Sequence, residues 1–168
     1  YYVPDLRVEL RGRLGDFTGQ TARTAEPICG EVEQDEPGTA QGNWYQGGTV
    51  GGPPFPYGSQ IALVHSNFDP LLGAFSIGTL VPGLGTGAYY FRPQTLGRVN
   101  LDFSKVIADG NVYCYDSMFG LAGYAVSPAQ IILVQLTTEA TLRIEKIDAA
   151  DCVTGPWAFQ ANFADFER

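Results

Sequence analysis

Histidine and methionine each occur once in these 168 residues, tryptophan twice and cysteine three times. One histidine, His65, and no Cys-x-x-Cys pair leave few soft ligands, which argues against a zinc centre. Lysine is nearly missing, since Lys105 and Lys146 are the only two among ten basic residues. Charged residues make up 17% of the chain, below the roughly 25% of an ordinary globular domain. The formal net charge is −8, and the densest basic stretch, Arg7, Arg11 and Arg13, is interrupted by Glu9. A nucleic-acid binder needs a cationic footprint that displaces phosphate counterions, so no nucleic acid is expected as a partner. An anionic membrane surface is disfavoured for the same reason. No apolar run approaches the ~18 residues of a spanning helix, so no membrane span is expected. Asn-x-Ser/Thr sequons are absent, and no stretch keeps a 3.6-residue apolar period over ten positions.

What the chain has instead is glycine (21), proline (11), 12% aromatic and 45% apolar residues. This is enough to build a core and too much for disorder. No composition break divides it, so residues 1–168 are expected to form a single domain, with 47–58 (GGTVGGPPFPYG) as a Gly/Pro-rich internal loop.

Alternation with period two dominates, the pattern of half-buried strands. In Arg7–Leu14, Val8 and Leu10 oppose Arg7, Glu9 and Arg11. In Thr141–Lys146, Leu142 and Ile144 oppose Arg143 and Glu145, and in Trp157–Phe163 the aromatics oppose Ala158, Gln160 and Asn162. Further strands are expected at Ile28–Glu33, Gly42–Gln46, Gln60–Ser66, Ala74–Leu80, Ala88–Arg92, Arg98–Phe103, Asn111–Asp116 and Ile131–Leu136. Asp109-Gly110 predicts a hairpin joining Arg98–Ile107 to Asn111–Tyr115, because Asp-Gly supplies the positive φ of a tight turn. Thr137–Ala140 predicts a second hairpin. Parallel pairing would need long crossovers, usually helical, so the strands should be antiparallel. The expected fold is all-β: an antiparallel β-barrel of about 10–11 short strands, with a two-sheet β-sandwich as the alternative. Closure is favoured because so many short strands would otherwise leave open edges.

Three cysteines suggest one disulfide and one leftover thiol, with Cys114–Cys152 the favoured pair and Cys29 the remainder. Three buried thiols are the alternative. The first residue is Tyr1, as in a processed or trimmed chain. With the expected disulfide this points to a secreted or periplasmic protein.

Candidate site residues fall into three groups. If the strand after Ile61 and Leu63 continues, His65, Asn67 and Asp69 share a side and line a barrel mouth. His65 would then be a candidate general base or metal ligand oriented by Asp69, or a histidine held structurally at a strand end. Glu31, Glu33 and Asp35 would share another face; such oxygen clusters bind calcium, although a solvated acidic face has the same appearance. Trp44, Phe55 and Tyr57 are candidates for a stacking surface, the last two on the proline-stiffened loop. Gly73–Gly78 has the spacing G-x-x-S-x-G, one residue too long for a nucleophile elbow. Gly83–Gly87 leads into a strand, so it is a loop rather than a phosphate cradle.

Two classes of function follow. The first is a non-enzymatic extracytoplasmic binding or accessory protein with a protein, small-molecule or glycan partner, or a structural subunit of a larger assembly. The second is a small hydrolase or lyase using His65 with Asp69, or the acidic cluster, assisted by calcium. Scarcity of titratable groups at catalytic spacing favours the first.

Overall fold

The computed structural model describes residues 6, 8, 9, 14, 23, 34–47, 60–78, 81–120, 130–153 and 155–168. Within them, eight strands form one antiparallel sheet: β1 (Gly42–Gln46), β2 (Gln60–His65), β3 (Gly73–Ile77), β4 (Gly87–Phe91), β5 (Tyr113–Tyr115), β6 (Ile131–Thr138), β7 (Thr141–Ile147) and β8 (Ala164–Glu167). Their order is β4-β3-β2-β1-β8-β7-β6-β5, so consecutive strands lie side by side and β8 returns to β1. The sheet curls into a nearly closed barrel. At the seam between β4 and β5, Tyr90 and Phe119 exchange two backbone hydrogen bonds of 2.9 Å. That stitch joins β4 to the segment just after β5, while the edge of β5 itself is covered by residues 98–100, where Asn100 N donates to Cys114 O at 2.8 Å and Cys114 N donates to Arg98 O at 2.9 Å.

Alternation explains which side chains enter the barrel. Trp44, Ile61, Leu63, Phe75, Ile77, Phe91, Ile132, Val134, Leu142, Ile144 and Phe166 belong to one buried cluster. Gly73 is part of the same inward row: a Cβ there would overlap the ring of Phe91, so glycine lets that ring lie across β3. The β6–β7 hairpin turns at Glu139–Ala140, as the sequence predicts, with a register shift between Leu136 and Thr138.

Strand side chains alone do not fill the interior. Between β4 and β5 the chain makes an excursion that drops a short 3-10 helix, Phe103–Lys105, into the barrel. Phe103 is fully buried. Its ring centroid lies 4.9 Å from Phe75, 5.1 Å from Phe91 and 5.3 Å from Tyr115. The edge-to-face contacts with Phe75 and Phe91 put the positive rim of one ring against the negative face of the other. Tyr115 Oη donates to Leu101 O at 2.9 Å, which satisfies the one polar atom of the group.

The strand count and several boundaries differ from expectation. Eight strands occur among the described residues rather than ten or eleven. Val8 and Glu9, inside the expected strand Arg7–Leu14, take helical backbone, and Val8 is exposed. Arg98–Phe103 is not a strand: only Val99 and Leu101 make single bridges, both parallel, so Asp109-Gly110 does not close an antiparallel hairpin. Asp109 instead accepts from Asn111 N, Asn111 Nδ2 and Tyr113 Oη, folding the turn onto its own side chain. Trp157–Phe163 is not a strand: it pairs with none and packs Trp157 and Phe159 against Leu133 and Ile131 on the outer face of the sheet. The expected strand Ile28–Glu33, the carboxylates Glu31 and Glu33, Cys29 and the loop aromatics Phe55 and Tyr57 lie outside the described residues.

If Phe103 fills the barrel, Phe103→Ala should cost ~3–5 kcal/mol of unfolding free energy. Leu96→Ala, at a side chain 85% exposed in the same excursion, should cost under about 0.5 kcal/mol. Urea titration of both variants checks this, and equal losses would contradict the packing.

Candidate functional site

His65 closes β2 at one end of the barrel. It pairs with Gly73 at the start of β3, which pairs in turn with Phe91 at the end of β4. The Gln34 side chain holds its backbone: Gln34 Oε1 accepts from His65 N at 2.9 Å and Gln34 Nε2 donates to His65 O at 3.2 Å. The ring is held from both sides. Nδ1 lies 3.0 Å from Pro70 O, and Nε2 lies 3.1 Å from Asp102 Oδ2. Pro70 O can only accept, so Nδ1 carries a proton. When the ring is protonated, Nε2 and the Asp102 carboxylate form an ion pair.

Asp102 is fixed in its turn. It is the N-cap of the 3-10 helix, and its Oδ1 accepts from Ser104 N at 3.0 Å and Ser104 Oγ at 2.7 Å. His65 therefore joins the end of β2, the Pro70 turn and the segment that plugs the barrel. Asp102 and Pro70 O raise the His65 pKa, Asp102 most, against the opposing effect of burial, with Glu36 adding to the rise. His65 and the Ser104 donors lower the Asp102 pKa to about 2. Two acceptors around the ring favour its protonated form over that of an ordinary histidine.

The other predicted residues occupy different surroundings. Asp69 was expected to orient His65, but the carboxylate beside His65 is Asp102. Asp69 Oδ1 accepts from Leu71 N at 3.0 Å, closing the local turn, and Ser66 Oγ accepts from Phe68 N and Asp69 N. Asn67 is exposed in that turn. The expected row of His65, Asn67 and Asp69 thus breaks at Ser66, where the strand ends. Trp44 offers no stacking surface: it is fully buried, donates from Nε1 to Ala40 O at 2.9 Å, and is covered by the Arg168 guanidinium 4.2 Å from its ring. Asp35 accepts from Asn43 N at 2.6 Å and from Asn43 Nδ2 at 3.2 Å, and so braces the entry to β1. Among the described residues no group of three or more His, Cys, Asp or Glu side chains is placed to hold a metal ion.

The second organised region is on the outer face. Cys114 and Cys152 form a disulfide across a separation of 38 residues, a closure contributing about 4 kcal/mol on the chain-entropy account. It fastens the strap that follows β7 onto β5 and β6. Asp116 Oδ2 accepts from Cys152 N at 2.9 Å and its Oδ1 accepts from Asn100 Nδ2 at 2.9 Å. Further along, the buried Glu145 carboxylate accepts from Gln160 N at 2.7 Å and Asn162 N at 2.9 Å. Asp102, Asp116 and Glu145 all went unmarked in the sequence. Asp102 before Phe103-Ser104 has the form of a cap, but no helical period follows to signal it. Glu145 reads as an outward strand residue, because the strap that buries it is distant in the chain.

No protein-family model, curated protein or solved structure matches this chain.

The His65–Asp102 pair gives stability a defined pH dependence. His65 has a raised folded pKa, so its contribution is complete below 6.5 and is lost as pH rises through the folded value. Asp102 has a lowered one, so its contribution is complete above 3.8 and is lost as pH falls through about 2. Asp102→Asn should therefore lower Tm more at pH ~5.5 than at pH ~8.5. An equal loss at both pH values, measured by thermal melts, would contradict the ion pair.

Proposed function

We propose that this chain is a non-enzymatic extracytoplasmic binding or accessory protein that acts through the outside of a filled barrel. The carrying observation is the engagement of both His65 nitrogens, by Pro70 O and Asp102. A general base needs an accessible lone pair, and here Pro70 O and Asp102 flank both ring nitrogens and favour the protonated form. The interior supports the same reading: Phe75, Phe91, Phe103 and Tyr115 occupy the space in which a hollow barrel would hold a ligand. Binding through the outer surface is what such a solid scaffold offers. The hydrolase or lyase alternative has less support, since Asp69 is committed to its turn and the carboxylate that meets His65 also caps a helix.

The Cys114–Cys152 bond is compatible with a secreted or periplasmic chain, where disulfides persist. Among the described residues no helix is long and apolar enough to cross a membrane.

Diethyl pyrocarbonate acylates unprotonated imidazole, and His65 is the only histidine. In the folded protein at neutral pH its modification should be slow, becoming fast once the chain is unfolded. Rapid modification of the folded protein would restore the catalytic reading. Alkylation of the denatured, unreduced chain from its native location should label at most one of the three cysteines. Labelling of all three would contradict an extracytoplasmic location.

A further inference from the structure

The turn that follows β2 stands out from the rim of the barrel. Ser66 and Leu72 are buried at its two ends, whereas Asn67, Pro70 and Leu71 are exposed, Leu71 by 76%. Ser66 N donates to Leu72 O at 2.8 Å, Leu72 N to Asp69 O at 3.0 Å and Leu71 N to Asp69 Oδ1 at 3.0 Å, so these bonds close the turn on itself. The contact of His65 Nδ1 with Pro70 O, at 3.0 Å, ties the tip of the turn back to β2.

That tie depends on a count of protons. The doubly protonated ring turns one N–H towards each neighbour, Nδ1 towards Pro70 O and Nε2 towards Asp102 Oδ2. A neutral imidazole carries one N–H, so one of the two neighbours must then face a ring lone pair. The two are not equivalent. The Asp102 carboxylate is charged and is pinned by Ser104 N and Ser104 Oγ. Pro70 O is neutral and belongs to the exposed tip, where water can take the place of the ring. Nε2 is shielded from water, so a lone pair there would be sealed against a negative charge. A charged acceptor also holds a donor about twice as strongly as a neutral one. The last proton therefore belongs on Nε2, and the lone pair of Nδ1 meets Pro70 O.

Two carboxylates act on the ring: Asp102 from the segment that plugs the barrel and Glu36 from the segment before β1. Both favour its protonated form, while Asp69, in the turn itself, accepts from Leu71 N. Asp102, with its pKa lowered to about 2, is ionised wherever His65 titrates. The folded pKa of His65 is raised above 6.5, so the doubly protonated ring prevails below that value and is lost as pH rises through the folded one.

We propose that His65 is a proton-operated latch: the doubly protonated ring holds the turn Ser66–Leu72 against the end of β2, and loss of the Nδ1 proton frees the tip with Pro70 and Leu71 while Asp102 keeps hold of Nε2.

The test is a titration of the intact disulfide-bonded protein from pH ~5.5 to ~9, followed by ¹⁵N–¹H NMR. Long-range correlations from the ring carbon protons read the two His65 nitrogens separately. Hydrogen exchange at Leu71 and Leu72, divided by the unfolded-chain rate at each pH, reads the turn. As His65 loses its proton, Nδ1 should move to the unprotonated position and Nε2 should stay protonated. Protection at Leu71 should fall with the same midpoint, while protection at Ser104 is unchanged. In Asp102→Asn the charge that keeps the proton on Nε2 is gone, so the neutral ring should keep Nδ1–H and the turn should stay protected throughout. A neutral ring protonated at Nδ1 in the unaltered chain, or protection at Leu71 that does not follow the His65 midpoint, overturns the latch. So does a turn that still loosens with His65 in Asp102→Asn. If that variant does not fold, the ring nitrogens and the Leu71 exchange of the unaltered chain decide alone.

Discussion

The contact on which the architecture depends is the ring of Phe103 inside the barrel. Eight short strands joined mainly in sequence make a shell, but a shell of this size must be filled by side chains or by a guest. Here the chain supplies its own filling. The excursion between β4 and β5 carries Leu101, Phe103 and Val106 inward, and all three are buried with the strand residues. Phe103 meets rings from β3, β4 and β5, including both strands that flank the seam. One residue thus packs the interior and holds together the place where the sheet is least continuous.

Much of the polar structure at that end of the barrel keeps this plug in position. Asp102 caps the short helix and pairs with His65, while Ala40 N donates to Val106 O at 2.9 Å from the far side. Arg168 stacks on Trp44 and donates to the carbonyls of Thr39, Gln41 and Glu139, closing the neighbouring rim. His65 and Asp102 together fasten the inserted segment to the end of β2. With the interior filled, the relief of the outer sheet face comes from the disulfide-tied strap.

The period-two signal makes the all-β class, most strands and the inward row legible in the sequence. Gly42–Gln46 is read to the residue, and Ile131–Leu136 and Thr141–Lys146 with their turn nearly so. Where the reading fails, alternation still reports burial correctly but does not name what does the burying. Trp157 and Phe159 alternate with Ala158 and Gln160 because they pack on the face of the sheet, not because they pair with a strand. Val99, Leu101 and Phe103 alternate because the excursion threads past β5 into the core. The site residues were legible only in part. His65 stands out as the single histidine, but its partner Asp102 is distant in sequence and only the fold brings it near, whereas Asp69 is close in sequence. The favoured cysteine pair is the one that forms: Cys114 sits on β5 and Cys152 follows β7, two strands along the sheet.

Ring-proton NMR at Phe103 addresses the filled barrel most directly. Cross-relaxation from the Phe103 ring to those of Phe75, Phe91 and Tyr115, together with strongly ring-shifted resonances, is the result this account requires. Phe103 signals at unfolded-chain positions, with no contact to the other three rings, would mean that the barrel is hollow and that its interior is again a place for a ligand.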